Sequence, residues 1–276
     1  MITIYKPDNK EKLIEYIGED IYERQKSNSH YCISIGKDGY FIAFYIYDFN
    51  AEQRKTEHIC IYCNSSDIVF FGNNPHCIET LNSIKNNKSA FYQLKDFFIA
   101  LTSKDIDFIA NIENSVNEIE DSIISSKKPV NNMSSQIVSF RRLVQNMKRY
   151  YSQLDFVIDT LIDNENSAIP KDAIVHFNAM YRRITRLEGE VEHVRECVTQ
   201  LREAYQAQID IEQNQIMKIF TVIAAIFLPL TLIVGWYGMN LQMPEYGWHL
   251  GYLYVVGLCL AVFAICYWFV KKKRWY

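Results

Sequence analysis

Two stretches of this chain carry no Asp, Glu, Lys or Arg for longer than a bilayer crossing requires. The first runs from Ile219 to Pro244, the second from Tyr246 to Val270. A ~30 Å hydrocarbon layer takes ~20 helical residues to cross, so the pattern predicts transmembrane helices at 216–237 and 252–270. A pair of buried core helices is the competing reading. Length and apolarity argue against it, as do Trp236, Tyr237, Trp248, Tyr252, Tyr267 and Trp268, which fall near the segment ends as in interfacial belts. Composition conceals the feature: a mean hydropathy of −0.13 and 22% charged residues describe an ordinary soluble protein.

Charge sets the orientation. The connecting loop, 238–251, holds Glu245 and no Lys or Arg, whereas Lys218 and then Lys271, Lys272, Lys273 and Arg274 lie on the other side of the two segments. By the positive-inside rule both termini are cytoplasmic and the loop faces outward, which predicts a multi-pass plasma (inner) membrane protein. Lys6, Asp8, Lys10 and Glu11 interrupt any apolar run of a secretory signal.

Of 29 basic residues, five belong to the membrane part, and of 32 acidic ones only Glu245 does. The remaining chain has 24 against 31, a formal charge of −7. Nucleic acid is excluded as a partner class because the basic surface it needs is missing, while an acidic cytosolic body concentrates cations around it. The seven cysteines read as reduced cytosolic thiols. His58, Cys60, Cys63, His76 and Cys77 superficially resemble a zinc set. Yet Cys60 and Cys63 lie three apart in a strand-like run, on opposite faces, where ligands cannot converge. No nucleophile–base pair and no phosphate loop appears, so an enzyme is not expected.

Residues 1–103 read as a small cytosolic α/β domain. Strand-like runs occur at 2–5, 31–35, 40–47, 58–62 and 68–71, and helical spacing at 10–24 and 78–101, the latter with a break near Asn86. Sheet order is not legible. From 104 to 215 the pattern is a three-helix antiparallel bundle. Ile109, Ile112, Val116, Ile119 and Ile123 mark the first seam. Ile137, Phe140, Val144, Met147, Tyr151, Leu154, Ile158 and Leu161 mark the second, and Met180, Ile184, Leu187, Val191, Val194, Val198, Leu201 and Tyr205 the third. These are alternating steps of three and four, the coiled-coil spacing. Between Pro170 and Pro229 only Gly189 weakens helix formation, so the stalk helix (about 171–215) is expected to continue into the first membrane segment as one rod of roughly 85–90 Å. A continuous rod couples the cytosolic domain to the membrane.

Asn214, Met217, Phe220 (or Thr221), Ala224, Leu228 and Thr231 recur on one face of that segment. No ionisable residue lies inside either membrane helix, which argues against a proton relay. Two helices do not enclose a conduit, so a pore requires symmetric oligomerisation. Uncharged amides, hydroxyls and carbonyls suit an ion that keeps its water, as Mg2+ does. Leu228 and Phe220 are candidates for apolar rings that close by dewetting.

Asn214, then Tyr237-Gly238-Met239-Asn240, Met243-Pro244-Glu245, Trp248, Gly251-Tyr252 and the terminal Lys271-Lys272-Lys273-Arg274-Trp275 together resemble the CorA family of divalent-cation channels. The resemblance is close from about 201 to 276 and rests upstream on the order of elements. It implies a funnel-shaped homopentamer in the lipid bilayer, with an α+β cytosolic domain, a long helical stalk and two transmembrane helices, that conducts Mg2+ passively and admits Co2+ and Ni2+. Gly238, Met239 and Asn240 take the family's outer selectivity ring, and Thr231, Leu228, Ala224, Phe220, Met217 and Asn214 its pore lining. Glu203 falls where the family places an acidic ligand for a regulatory intracellular Mg2+, and Lys271, Lys272, Lys273 and Arg274, in the basic cytoplasmic tail 271–276, fall on its basic collar. No organic cofactor is implied. The family's zinc-transporting branch, which keeps Gly-Met-Asn, is the rival within the superfamily. A membrane-tethered coiled-coil scaffold or sensor is the rival from another class.

Overall fold

The computed structural model describes residues 2–7, 9–27, 30–47, 56–84, 89–125, 132–239, 247 and 249–272. Five strands, β1 (Ile2–Tyr5), β2 (Tyr31–Ile35), β3 (Gly39–Tyr47), β4 (Thr56–Cys63) and β5 (Ile68–Phe71), form one sheet in the order β1-β5-β4-β3-β2. β1 pairs with β5 in parallel, and every other pairing is antiparallel. The order was hidden in the sequence because a parallel β1–β5 pair is set by the whole intervening chain rather than by a turn.

Both faces of the sheet are covered, which explains why β3 reads as a continuous apolar run rather than an alternation. On one face Phe41, Ala43, Cys60, Val69 and Phe71 pack with Leu13, Ile17 and Tyr22. These last come from α1 (Lys10–Ile17) and α2 (Glu19–Ser27). The sequence predicts one helix over 10–24, but Gly18 at φ 79° breaks it into two, a left-handed conformation that glycine adopts without a Cβ penalty. On the other face Tyr40, Phe44 and Phe70 meet Phe91, Phe98 and Phe97 at ring separations of 6.3, 6.0 and 6.3 Å. Those partners belong to α4 (Ala90–Leu101), which follows α3 (Pro75–Ser83). Cys60 and Cys63 therefore sit in opposite layers, each buried.

Three long helices follow: α5 (Asp105–Ser125), α6 (Met133–Asp163) and α7 (Lys171–Tyr237). Lys148 Nζ reaches Glu192 Oε2 at 2.9 Å and Ser152 Oγ reaches Glu188 Oε1 at 3.1 Å, pairings that advance in opposite directions, so α6 and α7 are antiparallel. Arg183 donates to the Thr102 carbonyl at 2.8 Å and His193 Nε2 lies 3.4 Å from Glu113 Oε1, so α5 and α7 run parallel. The seams close on Ile112, Val116, Met147, Leu154, Ile184, Val191 and Leu201, all buried. α6 carries a second buried stripe, Leu143, Tyr150, Gln153 and Val157, which belongs to its packing on β2 and β3. Past the end of β2 the Tyr45 N–H has no strand partner, and Gln153 Oε1 accepts from it at 2.9 Å. Asn164, left-handed at φ 45°, ends α6. Its side chain accepts from Ile169 N and donates to Ile169 O, both at 2.9 Å.

By compactness the chain divides into one unit within residues 1–203 and another covering 204–276. α7 runs through the division without interruption. At ~1.5 Å per residue its 67 residues span roughly 100 Å. It passes through Pro229 and ends at Tyr237; the length of roughly 85–90 Å expected from the sequence counted only the stretch between Pro170 and Pro229. α8 (Gly251–Lys272) is the last element.

Candidate functional site

α7 beyond residue 216 and α8 are the two helices, among the described residues, that are long and apolar enough to cross a membrane. Their apolar side chains stand largely uncovered: Phe220 is 64% exposed, Leu228 68% and Leu253 70%. In water, a surface of this size would cost far more than a folded domain retains in stability. Lipid or further protein must cover it.

Exposure separates two faces of the membrane part of α7. Val222, Ile226, Leu230, Ile233 and Tyr237 are half-buried, stepping by four, four, three and four. The predicted lining residues Ala224, Leu228 and Thr231 are all exposed, as are Asn214, Met217 and Phe220 below them. Ala224 is two residues from both Val222 and Ile226. Two residues correspond to about 200° around a helix of 3.6 residues per turn, so the predicted stripe lies opposite the covered one. It is the free face of α7 in a single chain.

The stripe's hydroxyls are donors already spent. Thr231 Oγ1 donates to Phe227 O and Thr221 Oγ1 to Met217 O, each at 2.8 Å. What Thr231 offers outward is therefore an oxygen with free lone pairs, an acceptor suited to water held by a cation. Pro229 cannot return a hydrogen bond to Ala225, which adds a carbonyl acceptor to the same helix.

At its outer end the helix closes on a glycine. Gly238 N donates to Val234 O at 2.9 Å and Met239 N to Trp236 O at 3.3 Å. A Cβ at Gly238 would come 3.0 Å from Val234 O, tighter than side chains tolerate without a backbone shift. Met239 is 48% exposed. Asn240, Glu245, Lys273 and Arg274 lie outside the described residues. Lys271 and Lys272 end α8, and Lys272 Nζ stands 4.8 Å over the Trp268 ring, an arrangement typical of a headgroup-level cation on an aromatic.

Glu203 is exposed near the middle of α7. Among the described residues no group of three His, Cys, Asp or Glu side chains could hold a metal, Glu203 included.

Sequence reasoning missed a buried polar cluster where the sheet domain meets the bundle. Asp105, 7% exposed at the start of α5, accepts from Tyr151 Oη at 2.9 Å. Burial pushes its carboxyl up to about 6, opposed by the Tyr151 hydrogen bond and by Arg183 and His76 nearby. An acidic residue in a helix's first turn reads from sequence as a solvated partner of the dipole, so nothing marked this one as buried.

A model of the family described as CorA-like Mg2+ transporter protein matches residues 33–272. The Cobalt/magnesium transport protein CorA of Thermotoga maritima is 24% identical over 85% of this chain and 69% of its own length. The Magnesium transport protein CorA of Pasteurella multocida is 41% identical over a shorter match, 39% of this chain and 34% of its own length. Among solved structures, the complete CorA magnesium transporter of Methanocaldococcus jannaschii shares the fold with a TM-score of 0.80 at 20% identity, covering 99% of this chain and 90% of that one. The cytoplasmic domain of ZntB from Vibrio parahaemolyticus gives 0.61 at 14% identity, covering 75% of this chain and 87% of that domain.

Proposed function

The chain belongs to the family of CorA-like Mg2+ transporters, and on that premise we propose that it forms a homopentameric, Mg2+-conducting channel in the plasma membrane, with both termini cytoplasmic. The observation that carries the reading is the free, uncharged face of α7 running from Asn214 to Thr231 and ending at the Gly238 turn. Five copies of that face enclose a path lined by amide, hydroxyl and carbonyl oxygens. Mg2+ sheds its water reluctantly, and such a path handles the hydrated ion through hydrogen bonds to its waters. Gly238, Met239 and Asn240 form the outer ring, Leu228 and Phe220 the apolar constrictions. Passage is passive, because residues 219–237 and 252–270 hold no Asp, Glu, His, Lys or Arg to relay protons. Co2+ and Ni2+, which are close to Mg2+ in size, follow the same path.

Intracellular Mg2+ regulates it through Glu203. The ion bridges subunits there, with its remaining ligands from an adjacent copy, and favours the closed state; among the described residues of one chain no group of three ligands surrounds Glu203. α7, unbroken from Lys171 to Tyr237, transmits that state to the constrictions. Lys271, Lys272, Lys273 and Arg274 collar the cytoplasmic mouth.

Purified protein in liposomes loaded with a Mg2+ indicator tests the proposal, with Zn2+ measured in parallel. Mg2+ uptake driven by its own gradient is expected; proton-dependent Zn2+ uptake with little Mg2+ movement would assign the chain to Zn2+ instead. Glu203→Ala is expected to keep conduction at low internal Mg2+ and to lose closure at millimolar internal Mg2+. Unchanged inhibition would remove Glu203 from the gate.

A further inference from the structure

A cleft of about 520 Å3 lies between α6 and α7. Its floor includes Val144 and Val198, and its charged lining is Arg141, Lys148, Arg195 and Arg202, with no Asp or Glu. Glu192 reaches in from α7 to pair with Lys148 and Arg195. Arg141 and Arg202 are exposed and have no ion-pair partner among the described residues. This is a basic patch on a chain whose soluble part carries net negative charge.

The complementary surface is on the same chain. α5 holds Asp105, Asp107, Glu113, Glu118, Glu120 and Asp121 and no Lys or Arg. Glu113 faces His193 and Asp105 is buried. Glu118 and Asp121 are exposed, Glu120 partly so, and none of the three has an ion pair among the described residues. The registers of the helices then matter. The Glu113–His193 pairing of parallel α5 and α7 sets Glu118 level with Val198 and Asp121 level with Leu201. The Lys148–Glu192 pairing of antiparallel α6 and α7 sets Arg141 level with Thr199. The free carboxylates and the free guanidinium groups therefore occupy one height along the bundle, on different helices.

We propose that the acidic face of α5 in one copy docks in the basic α6–α7 cleft of the next. Rotation about an axis parallel to the bundle conserves height, so groups on one level meet around a ring. The contact is head-to-tail, the kind that closes into cyclic assemblies. Each copy supplies one acidic face and one basic cleft, leaving no edge. The inference rests on the oligomeric reading above and adds the cytosolic contact that sets the neighbour's orientation.

The test uses the full chain in detergent, followed by mass photometry. Arg141→Glu with Arg202→Glu is expected to weaken assembly by roughly tenfold or more, since like charges then face each other. Adding Glu118→Arg and Asp121→Arg is expected to restore it, with helical content unchanged by circular dichroism throughout. Co-expression of a Glu118→Cys chain with a differently tagged Arg202→Cys chain, both carrying Cys197→Ser, is expected to give a mixed disulfide dimer on mild oxidation. An intact oligomer with no mixed disulfide, or a quadruple variant no better than the double, overturns the contact while leaving the assembly standing. A wild-type chain that is monomeric overturns both.

Discussion

Gly238 shows how one absent side chain can decide a site. Its amide closes on Val234 O, and a Cβ there would stand 3.0 Å from that oxygen. Gly238→Ala is therefore expected to shift the backbone around Val234 and Gly238 by a few tenths of an ångström and to lower Mg2+ flux at least tenfold. Assembly, read by mass, stays unchanged. Asp105 makes the opposite kind of demand. Its folded-state carboxyl titrates at about 6 against an ordinary value of 3.8, so the folded chain holds a proton there that the unfolded chain has released. The contribution to stability is thus fully present below about pH 4 and lost as pH rises through about 6. Asp105→Asn keeps an acceptor for Tyr151 and removes the charge. It is expected to raise unfolding stability at pH 8 by about 1–3 kcal/mol, with the advantage shrinking towards pH 4. Denaturant melts of the full chain at the two pH values measure this.

At the scale of elements, legibility followed the range of the forces involved. The seams of α5, α6 and α7 were readable because a spacing of three and four is local, and the structure buries Ile112, Val144, Met180 and Leu201 along them. The membrane helices were readable because charge-free runs of that length have few alternatives. Gly18 divided a predicted single helix because its φ is fixed by packing of α1 and α2 on the sheet, not by the local pattern. The second stripe of α6, and with it Gln153 on Tyr45 N, came from tertiary contact with β3 and left only scattered apolar residues to notice. The sheet order and the burial of Asp105 were invisible for the same reason. Of the candidate site, the stripe residues lie on α7 and Gly238 lies one residue past its end. The opposition of covered and free faces needed coordinates. The continuity of α7 carries its own prediction. Proline at Ala207 removes a backbone donor and clashes one turn back, at a cost of about 3 kcal/mol in a helix interior. Ala207→Pro, between Glu203 and the membrane, is expected to leave conduction intact while abolishing inhibition by internal Mg2+.

For the whole molecule, charge and apolar surface are partitioned rather than mixed. The part before the membrane helices bears net negative charge, the membrane helices carry none inside, and Lys271 and Lys272 close α8. A monomer arranged this way is incomplete twice over. Its α7 presents an uncharged stripe to nothing, and Glu118 and Asp121 on α5 and Arg141 and Arg202 in the α6–α7 cleft have no ion-pair partner among the described residues. In the proposed ring both surfaces are covered and the stripes line a path. The central claim is that this path conducts Mg2+ through the ring built on Asn240. The most direct measurement is Mg2+ flux into liposomes holding equal amounts of wild-type and Asn240→Ala protein, each first confirmed as the same oligomer by mass. Rapid gradient-driven Mg2+ entry is expected for the wild type and a loss of at least tenfold for Asn240→Ala. Equal flux from the two proteins, or no Mg2+ entry through correctly assembled wild type, would contradict it.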